Sequence, residues 1–263
     1  MEELKREDRA LELHNLTVTY DSKPAVWNID YKLPKGKLIG IIGSNGSGKT
    51  TMLKSIMGLV KPSSGFVKVF NKPLVATREK VAYVPQRKSV DWEFPASVFD
   101  TVLMGRLNKK KLFSRTSAKD KEIALECIAK VQLEKFKNRQ ISQLSGGQQQ
   151  RVFIARALAQ EAELYLLDEP FAGVDAATEN SIMDLLKEMR DEGKTIIVVH
   201  HDLQTAPEYF DWLVMVNTRL VAVGPAEEVF NEENLNDTYG GRLNILAKVA
   251  DLMKQFKHPV REK

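Results

Sequence analysis

An α/β fold is predicted by three features of the 263-residue sequence: an alternating apolar pattern near the N-terminus, several short unbroken apolar runs, and helical periodicity between those runs. They describe a mixed sheet with an N-terminal antiparallel β-subdomain and an inserted helical subdomain. From Leu11 to Leu33 the apolar positions are Leu11, Leu13, Leu16, Val18 and Tyr20, then Trp27, Ile29, Tyr31 and Leu33. A period of two with the turn-like DSKP (21–24) between reads as antiparallel strands. LIGII (38–42) is unbroken, as expected of a parallel strand covered on both faces. A glycine-rich loop and a helix, TTMLKSIMGL (50–59), follow it.

VAYV (81–84), LYLLD (164–168) and TIIVVH (195–200) are further buried-strand candidates. Between the last two, Ile182, Leu185, Leu186 and Met189 mark one helical face, which EGK (192–194) ends. Leu213–Val223 reads as a hairpin. Residues from about 87 to 160 lack strand signals and form the inserted helical subdomain, with a basic, solvated loop expected within 106–121. NILAKVADLMKQF (244–256) places Ile245, Leu246, Val249, Leu252, Met253 and Phe256 on one face. Its docking site is left open between the body of the chain and a second copy.

Composition excludes several classes. With 43% hydrophobic and 28% charged residues the chain is globular, and a net charge of +4 does not argue for nucleic acid. One cysteine, Cys127, forbids an internal disulfide and falls on the helical stripe Ala124, Cys127, Ile128, Val131, where a small core residue is expected. The charged start, MEELKREDRALEL, has no apolar signal-peptide core. No run approaches the ~20 apolar residues of a membrane span, so a cytosolic location is expected, with any membrane role reached through another protein.

The loop GSNGSGKT fits G-x-x-x-x-G-K-[ST] and identifies a P-loop NTPase core. Its residues Gly43, Ser44, Asn45, Gly46, Ser47 and Gly48 let backbone N–H groups turn inward onto phosphate oxygens. Lys49 brings a point charge to the β- and γ-phosphates, and the Thr50 hydroxyl, with Thr51 beside it, can ligate Mg²⁺. Asp168 and Glu169 end the apolar strand LYLLD, where acids are costly unless they have work to do. Asp168 is expected to hold the Mg²⁺ and Glu169 to polarise an attacking water. A guanine reader, N-K-x-D, is missing: NKKK (108–111) and NKPL (71–74) lack the acid, so ATP is expected rather than GTP.

A second phosphate-binding pattern, LSGGQ (144–148), opens a helix about a hundred residues later. With the P-loop and LYLLDEP, it makes the chain resemble the ATPase subunit of ATP-binding cassette transporters, over residues about 11–240. The resemblance implies a nucleotide-binding domain at 8–240 and a C-terminal helical tail at 241–263. It implies that Tyr20 stacks on adenine, that Gln86 in YVPQ senses the γ-phosphate and joins Thr50 and Asp168 at Mg²⁺, and that Asp175 in FAGVD (171–175) links two sites. Lys49, Gln86, Glu169 and His201 are then the catalytic set. His201 is preferred over His200 because the family's switch histidine directly precedes Asp-Leu; a one-residue slip of the strand would exchange them. Two such subunits pack head to tail, each ATP closed in trans by Ser145, Gly146, Gly147 and Gln148 of the other copy.

The stretch VDWEFPASVFDTVLMGR (90–106), with VVHHDL and TYGGRL, resembles the branch that imports manganese, zinc or iron. That implies a bacterial, peripheral subunit on the cytoplasmic face of the membrane, with a membrane permease and, indirectly, an extracellular solute-binding protein as partners. Manganese is the expected ion. Four histidines and one cysteine make no metal cage, so the ion would bind other subunits. Siderophore, haem or other solute uptake, a non-transport cassette ATPase, and a P-loop kinase remain as alternatives.

Overall fold

A computed structural model describes residues 4–21, 23–109 and 116–240. The amphipathic segment 244–256, the C-terminal tail 241–263 and the middle of the basic loop lie outside the described residues. Up to Leu74 the chain forms β1 (Arg9–Tyr20), β2 (Lys23–Pro34), β3 (Leu38–Ile42), α1 (Lys49–Ile56), β4 (Ser64–Val69) and β5 (Lys72–Pro73). Next come β6 (Val81–Val84), α2 (Val98–Leu103), α3 (Ala118–Lys130), α4 (Gly146–Leu158), β7 (Leu164–Asp168), α5 (Ala176–Asp191) and β8 (Thr195–Val199). The described C-terminal part adds α6 (Ala206–Tyr209), β9 (Trp212–Asn217), β10 (Arg219–Pro225), α7 (Ala226–Val229) and α8 (Glu232–Tyr239). The elements fall into two compact units, one made of Val75–Val198 and the other of the described residues before and after it.

In the unit built from both ends of the chain, an antiparallel sheet runs in the order β2-β1-β4-β5. Leu11 pairs with Leu33, Leu13 with Tyr31 and Leu16 with Ile29, so the alternating pattern faces one core. Leu13 and Leu16 are three apart, which a flat strand would send to opposite faces. The left-handed backbone of Asn15 (φ 48°) absorbs the extra residue. On β2, Asn28 (φ 49°) does the same and makes Val26 the core residue, leaving Trp27 44% exposed. That corrects the alternation expected there: the indole lies outside, under the Arg219 guanidinium at 5.7 Å. β4 and β5 carried no clear signal, because β4 is largely exposed. In the same unit β9 pairs antiparallel with β10 and parallel with β3, a mixed arrangement. β3 is buried along its whole length, and a methyl group on Gly40 would lie 2.6 Å from the Phe210 ring, so this strand and that ring meet at backbone distance.

In the Val75–Val198 unit, β6 pairs parallel with β7, Val84 standing opposite Leu167. The described residues between Arg87 and Gln160 are helical or irregular, with one isolated bridge from Ser97 to Gln140. α2, α3 and α4 each start with a reciprocal cap: Ser97 with Asp100, Ser117 with Asp120, Ser145 with Gln148. Ala124, Cys127, Ile128 and Val131 are all buried, and burial pushes the Cys127 thiol up to about 11, so it stays protonated and inert at neutral pH. Arg106 is buried too, bonded to Asp120 at 3.2 Å and Glu161 at 2.6 Å, which meets the pairing that a buried cation requires. Among the described residues no helix is long and apolar enough to cross a membrane.

Candidate functional site

Strand β3 delivers the chain directly into the glycine loop, and α1 starts at Lys49. Gly43 and Gly48 are required by space: a methyl on Gly43 would lie 2.2 Å from the Val216 carbonyl, and one on Gly48 2.3 Å from the Ala25 carbonyl. Gly48 also takes φ 98°, a region that side chains disfavour. Lys49 is 5% exposed, and its Nζ donates to the Gly43 and Ser44 carbonyls at 2.8 Å each. The ammonium is thus held inside the loop, pointed at by its own backbone. Ser47 Oγ is buried without a hydrogen-bond partner, a polar atom aimed at the loop interior. The buried Tyr239 hydroxyl of α8 faces the backbone of Gly43, and burial holds the phenol above its usual range. Tyr20 ends β1 with its ring 49% exposed, as a stacking surface requires.

The two histidines differ sharply. His200 is 3% exposed, and its backbone N–H donates to Ile41 O at 3.0 Å. Its Nε2 lies 2.8 Å from Thr205 Oγ1, and its ring meets Phe210 edge-on at 5.3 Å. Burial pulls its pKa down to about 4, so the ring is neutral at physiological pH. His201 is exposed. Tyr20, the glycine loop through Thr51, and both histidines belong to the unit built from the two chain ends.

Gln86, Asp168, Glu169, Ser145–Gln148 and Asp175 belong to the Val75–Val198 unit. Here strand register does the positioning. Val84 pairs with Leu167, so the residues two steps further on, Gln86 and Glu169, emerge side by side. Gln86 Nε2 donates to Glu169 Oε2 at 2.6 Å. Glu169 takes φ 53°, uncommon for a residue with a side chain and a form of strain that gathers at functional sites. Asp168 is 0% exposed, and Tyr83 Oη donates to its Oδ2 at 3.4 Å. Burial, and then the Asp168 charge, raises the Tyr83 phenol well above its usual range. Tyr83 was not identified from sequence as part of the site; its parity on β6 is the signal that finds it.

LSGGQ is a helix start in the structure. Ser145 is the N-cap of α4, its Oγ accepting from Gln148 N at 3.4 Å while Gln148 Oε1 accepts from Ser145 N at 3.0 Å. Gly147 packs on α5, where a methyl would meet Thr178 at 3.2 Å. Asp175 caps α5, accepting from Thr178 N at 2.8 Å and Thr178 Oγ1 at 3.1 Å, and these bonds hold its carboxyl below the usual range. Among the described residues no cluster of three or more His, Cys, Asp or Glu is arranged to hold a metal ion.

Comparison with known proteins identifies the family. The chain is 55% identical to the manganese transport system ATP-binding protein MntB of Bacillus subtilis (strain 168), over 90% of this chain and 94% of that protein. It is 50% identical to the zinc transport system ATP-binding protein TroB of Treponema pallidum (strain Nichols), over 93% and 92%. Among solved structures, the dimeric bacterial ABC transporter cassette MJ0796 is 32% identical with a TM-score of 0.74, over 82% of this chain and 98% of that one. The chain is an ATPase. Residues 26–172 match the family model described as ABC transporter, and the chain belongs to that family.

Proposed function

We propose that the protein is the ATP-hydrolysing subunit of a divalent-metal importer, with manganese as the ion and zinc or iron next. The observation that carries the catalytic half is the Glu169 carboxylate, set by strand register at the end of a buried strand and steadied by Gln86 at 2.6 Å. The ion is supported by the manganese and zinc systems to which the relatives belong, at 50–55% identity along nearly the whole chain.

In this reading Tyr20 stacks on the adenine and the Gly43–Thr51 loop wraps the phosphates, with Lys49 supplying charge. Glu169 accepts a proton from the attacking water, and His201 holds that water against the γ-phosphate. Hard oxygens suit Mg²⁺, and the Thr50 hydroxyl, the Gln86 amide oxygen and the fully buried Asp168 carboxylate are donors of that kind, which would hold it in this reading. Bound there, Mg²⁺ neutralises phosphate charge as it develops. A second copy supplies Ser145, Gly146, Gly147 and Gln148 to each ATP, with Asp175 between the two sites. The dimeric state of MJ0796 supports that pairing. The subunit sits on the cytoplasmic face of a bacterial membrane, coupled to a permease and through it to an external solute-binding protein.

Uptake tests this. Reconstituted with its permease in vesicles, the subunit is expected to drive ATP-dependent accumulation of Mn²⁺, with Zn²⁺ or Fe²⁺ weaker. Uptake of chelated iron or haem with no response to free divalent ions would overturn the ion assignment.

The histidine pair gives a separate expectation. His201→Ala removes most of the ATPase activity, whereas His200→Gln retains it, because the buried His200 reaches Thr205 rather than solvent. The opposite ranking of rates would exchange their roles. Stability adds a pH signature. Between about pH 6.5 and 4 the unfolded chain protonates His200 while the folded chain does not, so the unfolded state binds more protons and stability falls as pH drops. The slope from this residue reaches about 1.4 kcal/mol per pH unit. Denaturant titrations at pH 7 and pH 5 should show a smaller difference for His200→Gln, which keeps a partner for Thr205 without a titrating proton.

A further inference from the structure

The segment directly after Gln86 grips one face of α4, the helix that LSGGQ opens. Arg87 donates from Nε and Nη2 to Gln149 Oε1, at 3.2 and 3.0 Å. The Arg87 carbonyl accepts from Trp92 Nε1 at 2.9 Å, and the Trp92 ring stands edge-on to Phe153 at 5.1 Å. Gln149 and Phe153 are one helical turn apart and share a face, so residues 87–92 hold α4 at two points.

The guanidinium has a second set of neighbours. A methyl on Gly146 would lie 2.9 Å from Nη1 and 3.0 Å from Cζ, and one on Gly173 would lie 3.9 Å from Nη1. The group is therefore wedged beside the first residue of α4 and next to the FAGVD loop. A cation at a helix N-terminus opposes the helix dipole, so the stability of α4 does not account for its place. Its location does connect three pieces: Gln86, bonded to Glu169; the LSGGQ turn; and the loop that ends at Asp175.

We propose that Arg87 is a positioning residue that locks the LSGGQ turn and the FAGVD loop to the Gln86–Glu169 pair, so that these parts present themselves to a second copy as one rigid piece. This rests on the dimer reading of the preceding subsection. A planar fork is suited to the task because it binds Gln149 with two nitrogens while a third flanks the glycines; an ammonium has no such geometry. The coupling runs through a contiguous set of hydrogen bonds and packed groups, the physical form that such links take.

Arg87→Met keeps the aliphatic stem and removes the fork; Arg87→Lys keeps the charge. Both are made in the full chain, alone and in a Glu169→Gln parent, and studied by fluorescent ATP-analogue binding, thermal melting, and size exclusion with ATP over a protein dilution series. Arg87→Met is expected to bind nucleotide like its parent and to melt modestly lower, because the buried Gln149 Oε1 loses its donor, yet well below that melting temperature to need roughly tenfold or more protein for half-maximal dimer, the scale of one or two charge-assisted hydrogen bonds. Its kcat per subunit falls at dilute protein while KM for ATP holds, and Arg87→Lys recovers only part of the loss. Unchanged dimerisation in Arg87→Met overturns the proposal. So does a loss that tracks a lower melting temperature and vanishes when the protein is kept cold, which would reduce Arg87 to packing. If the Glu169→Gln parent itself stays monomeric with ATP, the dimer reading fails first, and this proposal falls with it.

Discussion

Glu169→Gln is expected to lower ATP turnover by roughly 10²- to 10⁴-fold, the range for loss of a general base, with nucleotide binding intact. At 1.36 kcal/mol per factor of ten, that is roughly 3–5 kcal/mol of barrier. The change is small in shape: the amide keeps the length and planarity of the carboxylate, and its oxygen can still accept from Gln86 Nε2, now 2.6 Å from Glu169 Oε2. The left-handed backbone at Glu169 places a glutamine side chain in the same spot. What disappears is the basic site for the water's proton. Binding without turnover should leave ATP between two copies, and size-exclusion chromatography with ATP should show a trapped dimer. Hydrolysis near the parent rate would remove Glu169 from its role.

Lys49→Ala is expected to act earlier, on binding itself. The ammonium is almost fully buried and bonded to two carbonyls of its own loop, so it arrives at phosphate already oriented and with little entropy left to lose. A charge-assisted contact of this kind contributes about 1.5–3 kcal/mol, so affinity for a fluorescent ATP analogue should drop by roughly 10- to 100-fold. Lys49→Met separates charge from packing, since the stem remains and only the donor is lost; the same drop is expected. Equal nucleotide affinity in Lys49→Met and the parent would take the phosphate contact away from Lys49.

The sequence made the local parts legible and left the tertiary ones obscure. LIGII, VAYV, LYLLD and TIIVVH are short, largely apolar runs of the kind covered strands carry; the first three form strands along their length and the last does so up to Val199. The glycine loop announces itself because its glycines answer a backbone requirement, visible at Gly43 and Gly48 as carbonyls with no room for a methyl. β4 escaped notice because an exposed strand carries little apolar pattern to read. Trp27 was misplaced because the alternation ran through Asn28, whose positive φ shifts the face. The pairing of Gln86 with Glu169 depends on register between strands about eighty residues apart, which spacing along the chain does not encode. Arg87 is the extreme case: its importance lies in which glycines it touches, and no feature of YVPQRKS discloses that.

Gln86 and Glu169 each lie two residues beyond the Val84–Leu167 pair, so their meeting is set by counting along two paired strands and the first residues past their ends. The exposed positions of α2 and α3 lie outside that count, so substitutions there are expected to leave the pair in place, whereas changes at Arg87 are not. Variation at those exposed positions and an unmoved hydrolytic pair are therefore compatible in one chain. The strands keep the pair's geometry, and the surface of the helices stays open to change.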